Sequence, residues 1–244
     1  VTYKPEGVKK TIKTILALSI PMSLASIVSA INRNVDTFTV INGLTDMLLA
    51  QGTLAYDAVV SEATRLYGIL SGKVDMLIGL PLSINIAFAT ALVPAVSEAL
   101  AKKDTKTATR RISFSLRTSL LIALPCSIGM CVLAEQILTL LFPNQIAAEA
   151  PLLLQISSFT IMFSVLNQTI NGALQGIGKI FIPAMSLGIG AITKLILNLV
   201  LIRIPEIGIN GAAIGSVCCH MVATCIGFTV LRKNIKLETN FVQF

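Results

Sequence analysis

The 244-residue chain is 54% hydrophobic and only 13% charged, with a mean hydropathy of +0.82 and a formal net charge of +7. A soluble domain carries about 25% charged residues, so this composition excludes an ordinary water-soluble fold. The positive charge sits in gaps between apolar stretches, which points to membrane topology and anionic lipid rather than nucleic acid.

Six apolar stretches follow a basic leader over residues 1–13. The first runs from Thr14 to Asn32 and continues in more polar form to Leu44. The second is Met76 to Val96, with polar ends reaching back to Leu66 and on to Leu100. The third is Ser113 to Leu133, with a re-entrant tail through Phe142. The fourth is Leu152 to Gln175, the fifth Ile180 to Ile204 and the sixth Ile209 to Leu231, before a tail over 232–244. Each is near the roughly 20 residues that a bilayer-spanning helix needs. The runs are too long for barrel strands, and hydrocarbon cannot satisfy open backbone groups, so the expected fold is all-α and polytopic.

Basic residues fall on alternate gaps: Lys9, Lys10 and Lys13 in the leader, Lys102 to Arg117 after the second stretch, Lys179 after the fourth, and Arg232, Lys233 and Lys236 after the sixth. The intervening gaps hold acids (Asp46, Asp57, Glu62, Glu149, Glu206) and, as bases, Arg65 and Arg203. This alternation predicts that both ends are cytoplasmic. The chain begins at Val1 without a signal-peptide pattern and reads as a piece of a longer protein.

Pro21, Pro81, Pro94, Pro125 and Pro183 lie in or near the spans, where each removes a backbone hydrogen bond. Gly172/Gly176 and Gly211/Gly215 have the small-residue spacing that lets helices approach closely. The five cysteines lie in apolar runs without metal-ligand spacing, and they read as packing residues. His220 reads as a packed or interhelical hydrogen-bonding residue. Glu98 and Lys102 read as a solvated ion pair.

Ionisable groups inside spans are expensive and mark function or interhelical pairing. Lys194 lies well inside the fifth span and shares a face with Gly190 and Asn198. It suits either an anionic headgroup or a partner carboxylate. Arg33 and Asp36 stand near the outer end of the first span at a spacing that permits an intrahelical ion pair. Lys73 and Asp75 enter the second span at the same depth, so the four are expected to form one polar vestibule. Arg33 suits a pyrophosphate oxygen. Asn167, Asn171 and Gln175 make a polar stripe on the fourth span, suited to sugar hydroxyls or to helix–helix hydrogen bonds.

Several segments together resemble one family. They are Val35-Asp36-Thr37-Phe38; Leu66-Tyr67-Gly68-Ile69-Leu70-Ser71-Gly72; Leu80-Pro81; Ala91-Leu92-Val93-Pro94-Ala95-Val96-Ser97-Glu98-Ala99; Leu174-Gln175-Gly176-Ile177-Gly178-Lys179; Lys194 with Asn198; and Gly208-Ile209-Asn210-Gly211-Ala212-Ala213-Ile214-Gly215. In order and spacing the chain is similar to the stage V sporulation protein B and polysaccharide biosynthesis branch of the multidrug/oligosaccharidyl-lipid/polysaccharide (MOP) exporter superfamily, whose relatives include the peptidoglycan lipid flippases. The resemblance runs from Leu16 to Leu231. Lys73 and Asp75 depart from it, standing where the family is more apolar.

The resemblance implies two six-helix lobes, of which this chain corresponds to the second, and a missing N-terminal lobe as its partner. It also implies a lipid-linked saccharide as substrate, moved without covalent chemistry. No cofactor is expected; the energy source to consider is an ion gradient or the membrane potential. The alternatives are an ion-coupled multidrug antiporter lobe and a non-transporting scaffold for cell-wall synthesis or sporulation.

Overall fold

The computed structural model describes residues 8–52, 55–143 and 147–235. Within the first half of helix α1 many side chains, Arg33 among them, lie outside the described residues. The described residues form α1 (Val8–Ala50), α2 (Tyr56–Gly68), a π-helical turn (Ile69–Val74), α3 (Asp75–Ala101), α4 (Thr105–Val132), α5 (Ala134–Leu141), α6 (Ala150–Gly176), α7 (Phe181–Leu201) and α8 (Asn210–Asn234).

The all-helical expectation holds. Among the described residues, five helices are long and apolar enough to cross a membrane: Tyr56–Ala101, α4, α6, α7 and α8. α1, at 43 residues, is also long enough. The second span is longer than expected. α2, the π-turn and α3 run on as one 46-residue helix. The tail of the third span is a separate short helix, α5, whose Ala134 and Leu138 are buried in the core.

α6 is the central pillar. It packs against α3, α4 and α8, and α8 in turn packs on α7, and α7 on α1. Two apolar clusters lie at the two ends. One gathers Val40, Leu44, Leu66, Leu77, Leu153 and Ile202; the other gathers Leu92, Val96, Ile112, Ile170, Leu174 and Leu231. Polar side chains occupy the interior as well: Asn85, Ser119, Ser158, Thr169, Ser186 and Asn198 are at most 1% exposed. Large apolar residues such as Leu80, Ile84, Leu121, Ile128, Phe159 and Ile192 face outward. This polarity is that of a lobe solvated by hydrocarbon.

Polar groups join the helices where packing against lipid cannot. Ser127 Oγ donates to Ser158 O at 2.9 Å, Thr224 Oγ1 to Phe163 O at 2.9 Å and Ser97 Oγ to Gly176 O at 3.0 Å. The small-residue reading holds at both sites. A Cβ built on Gly172 would come 2.4 Å from Ala89 O on α3, and one on Gly215 would come 2.5 Å from Asn198 Oδ1 on α7. Gly172→Ala therefore has to push α6 off α3 backbone. We expect a loss of about 1–3 kcal/mol, read as a lower melting temperature in detergent.

At the basic end, Asp104 caps α4. Its carboxylate accepts from Thr107 N at 2.9 Å and from Thr107 Oγ1 at 2.6 Å. The Thr107 hydroxyl, then its amide, holds the Asp104 carboxyl below the usual range. Lys102 and Glu98 form the expected exposed ion pair at 2.6 Å, and Arg111 stands 3.8 Å from the same carboxylate.

Candidate functional site

A cleft of about 390 Å³ opens where α1, the π-turn, α7 and α8 meet, lined by Asn34, Asp36, Tyr67, Asp75, Lys194 and Ser216 among others. Each contribution follows from local structure. α1 contributes Asn34 and Asp36 to the lining. The π-turn, a wider coil that often marks functional positions, brings Leu70 and Ser71 beside Asp75 at the start of α3. Gly215 lets α8 approach α7 closely enough to cover the Lys194 stem.

Lys194 and Asp36 form an ion pair across 158 residues of sequence. The two side chains are 10% and 18% exposed, so the pair is largely withdrawn from water. Lys194 faces a helix partner rather than lipid. Asn198, one turn further along α7, donates from Nδ2 to Thr39 Oγ1 at 3.3 Å. Thr37 Oγ1 and Tyr67 Oη share a hydrogen bond of 2.7 Å, which ties α1 to α2 beside the cleft.

This arrangement revises the expected vestibule. Asp36 bonds to Lys194 on α7, a partner on another helix. Arg33 itself lies outside the described residues as far as its side chain is concerned. Asp75 does line the cleft, but Lys73 turns away. Its Nζ stands 5.3 Å from the Phe142 ring centroid, where a cation is favoured over the aromatic face. The reason is angular: Lys73 and Asp75 are two residues apart on a helical coil and cannot share a face.

The α6 stripe is buried inside the lobe. Asn167 is 6% exposed, and Asn171 and Gln175 are half-buried. Asn167 Oδ1 and Asn171 Oδ1 have no hydrogen-bond partner. None of the three lines the cleft.

Sequence reading did not single out Asn34, Thr37, Tyr67 or Ser216, which line the cleft too. A signal exists for the first two, since Asn34 and Thr37 flank Asp36 on α1. Tyr67 lies in a segment that carries the family resemblance, whereas Ser216 is an ordinary residue in a mixed run and carries no signal.

Chemically, the described cleft holds two carboxylates against one ammonium, with hydroxyls and amides around them. The Lys194 charge is already met by Asp36. The cleft thus offers hydrogen-bond acceptors and negative charge more than a free cation.

Comparison with known proteins places this geometry. The family model described as Lipid II flippase MurJ matches residues 2–242. The Lipid II flippase MurJ of Bacillus subtilis is 28% identical over 170 residues, covering 68% of this chain and 30% of that protein. The Stage V sporulation protein B of the same organism is 24% identical over 198 residues, covering 81% of this chain and 38% of that protein. A solved MOP superfamily transporter from Pyrococcus furiosus superposes with a TM-score of 0.71 at 20% identity, covering 93% of this chain and 46% of the other; this likeness shows the fold. The chain thus spans about a third of its curated relatives' length and about half of the solved transporter's. It shares the all-helical fold of about half of that solved transporter, and the chain belongs to the Lipid II flippase MurJ family.

Proposed function

We propose that this chain is one lobe of a translocator that carries a lipid-linked saccharide across the cytoplasmic membrane, facing a second six-helix lobe across the pathway. The observation that carries this reading is the family match over residues 2–242. The overlap with about half of a solved transporter supports the missing N-terminal lobe as partner. An ion gradient or the membrane potential drives the cycle, and no covalent step is assigned to the chain.

In this reading the cleft around Asp36, Asp75 and Lys194 faces the pathway, and Arg33 is the candidate for the substrate's pyrophosphate on the chemistry of its guanidinium alone. Asn198 positions Lys194 from the same face of α7. Asn167, Asn171 and Gln175 lie behind the cleft as interior polar groups. Lys73 anchors α3 on Phe142.

Vesicles holding the native-length protein and a fluorescent lipid-linked saccharide test the reading. The native-length protein is expected to expose the label to an outside quencher, and the 244 residues alone are expected not to. Equal translocation by the shorter chain would show that one lobe suffices.

The orientation follows from the charge alternation, which puts both ends and the Lys102–Arg117 segment in the cytoplasm. An impermeant thiol reagent added outside intact cells is expected to label Asp57→Cys and to leave Asp104→Cys and Lys236→Cys unlabelled. The opposite pattern inverts the lobe.

A second reading has one observation in its favour. Two carboxylates against one ammonium suit a cationic compound exchanged for an ion, as in a multidrug antiporter. Transport assays on the native-length protein separate the two: an antiporter exchanges a cationic dye, loses that exchange in Asp75→Asn and flips no lipid-linked saccharide.

A further inference from the structure

α6 carries a line of hydrogen-bonding groups with nothing to bond. Thr160, Ser164, Asn167 and Asn171 follow one another at helical spacing and share one face. Thr160 Oγ1, Ser164 Oγ, Asn167 Oδ1 and Asn171 Oδ1 are all buried without a partner. The first three side chains are 6%, 3% and 6% exposed.

α8 runs beside this line. Thr224 Oγ1 bonds Phe163 O, and Gly227 packs against Ile170. Those contacts advance in the same direction, so the two helices are parallel there. His220, one turn before Thr224, is then level with Thr160. His220 Nδ1 is likewise buried without a partner.

A polar group left dry in an apolar interior costs about 1–3 kcal/mol. Native structures keep such groups few, yet here they recur in register on one stripe. Water is what satisfies polar groups at a buried polar site. The stripe rises about 16 Å along α6, more than half of the ~30 Å hydrocarbon thickness. Gln175, one turn beyond Asn171 and half-buried, extends it to the end of the lobe that carries Lys102 to Arg117.

We propose that the seam between α6 and α8 is a buried aqueous path, a file of water molecules that enters past Gln175 at the basic end of the lobe and reaches His220. The path has a titratable group at its inner end. His220 lies in electrostatic contact with Lys194 on α7, and Lys194 with Asp36 on α1 and Asp75 on α3. The α6 stripe itself carries no charge. The path follows from burial and helix register, and it stands whatever the lobe carries.

Cysteine accessibility tests it. Ser164→Cys, Asn167→Cys and Asn171→Cys are made singly in the native-length protein after Cys126, Cys131, Cys218, Cys219 and Cys225 are replaced by alanine. Inside-out vesicles are treated with a small cationic methanethiosulfonate. Each thiol is expected to react about tenfold or more faster than Phe159→Cys, because a hydrated thiol ionises and one against hydrocarbon does not. Phe159 is the control at similar depth, pointing outward at 53% exposure. Rates at 164 and 167 equal to that at 159 overturn the path. A second measurement needs no cysteine replacement. Asn167→Leu removes an amide whose oxygen has no protein partner, so in a dry seam it raises the melting temperature; in a hydrated one it displaces bonded water and lowers it. A rise overturns the proposal.

Discussion

Lys194→Met is expected to remove about 3–5 kcal/mol of stability, because it strands the buried Asp36 charge without its partner. The native-length protein would melt at a markedly lower temperature in detergent, and less of it would accumulate in the membrane. The double variant Asp36→Asn/Lys194→Met removes both charges and should recover most of that loss, since replacing a buried pair by neutral groups is often close to neutral. The pair is 10% and 18% exposed, so solvent screens it little. Translocation then separates structure from function. If the double variant folds but does not carry its substrate, the charges serve transport. If it folds and transports, they serve only to hold α1 to α7. A double variant no more stable than Lys194→Met alone would show that the two residues are not energetically coupled.

The second large effect is expected at Asn85, which is wholly buried at the junction of α3, α4 and α6. Its Nδ2 donates to Val165 O at 3.1 Å, Gln168 Oε1 at 3.1 Å and Thr169 Oγ1 at 3.3 Å. Its Oδ1 accepts from Ser119 Oγ at 2.8 Å, and Ser119 and Thr169 share a further bond of 2.6 Å. A single interhelical hydrogen bond in a membrane protein averages about 0.6 kcal/mol. Asn85→Leu should cost more, about 2 kcal/mol, because it leaves partners on two other helices dry. Ser119→Ala should cost less, and the two together less than their sum, because they share the same network. Melting temperatures of the three variants check this; strict additivity would show that the groups act independently.

How much of this was legible in the chain depends on what each residue announces alone. The helices were, because an unbroken apolar run of the right length has one solution in hydrocarbon. Lys194 was, because a cation among Ile, Leu and Val has to be met by something. Its partner was not: Asp36 lies 158 positions away, and nearer candidates at helical spacing, such as Arg33, looked adequate. The error at Lys73 came from grouping residues by depth while ignoring angle. Asn85 went unremarked because one amide in a run of Ile and Leu has no period. The Asn167 stripe was visible as a stripe, but amphipathic spacing does not say whether the polar face meets a cavity or another helix. Thr160 and Ser164, which extend it, are short enough to pass for small packing residues.

The uninterrupted helix Tyr56–Ala101 has a mechanical consequence. Its 46 residues make a rod about 69 Å long, more than twice the thickness of the hydrocarbon core. One arm must therefore stand clear of the bilayer, and the π-turn, Pro81 and Pro94 are the places along the rod where it can bend. The wide coil at Ile69–Val74 sits partway along, against the cleft, so any bend there changes the shape of the cleft.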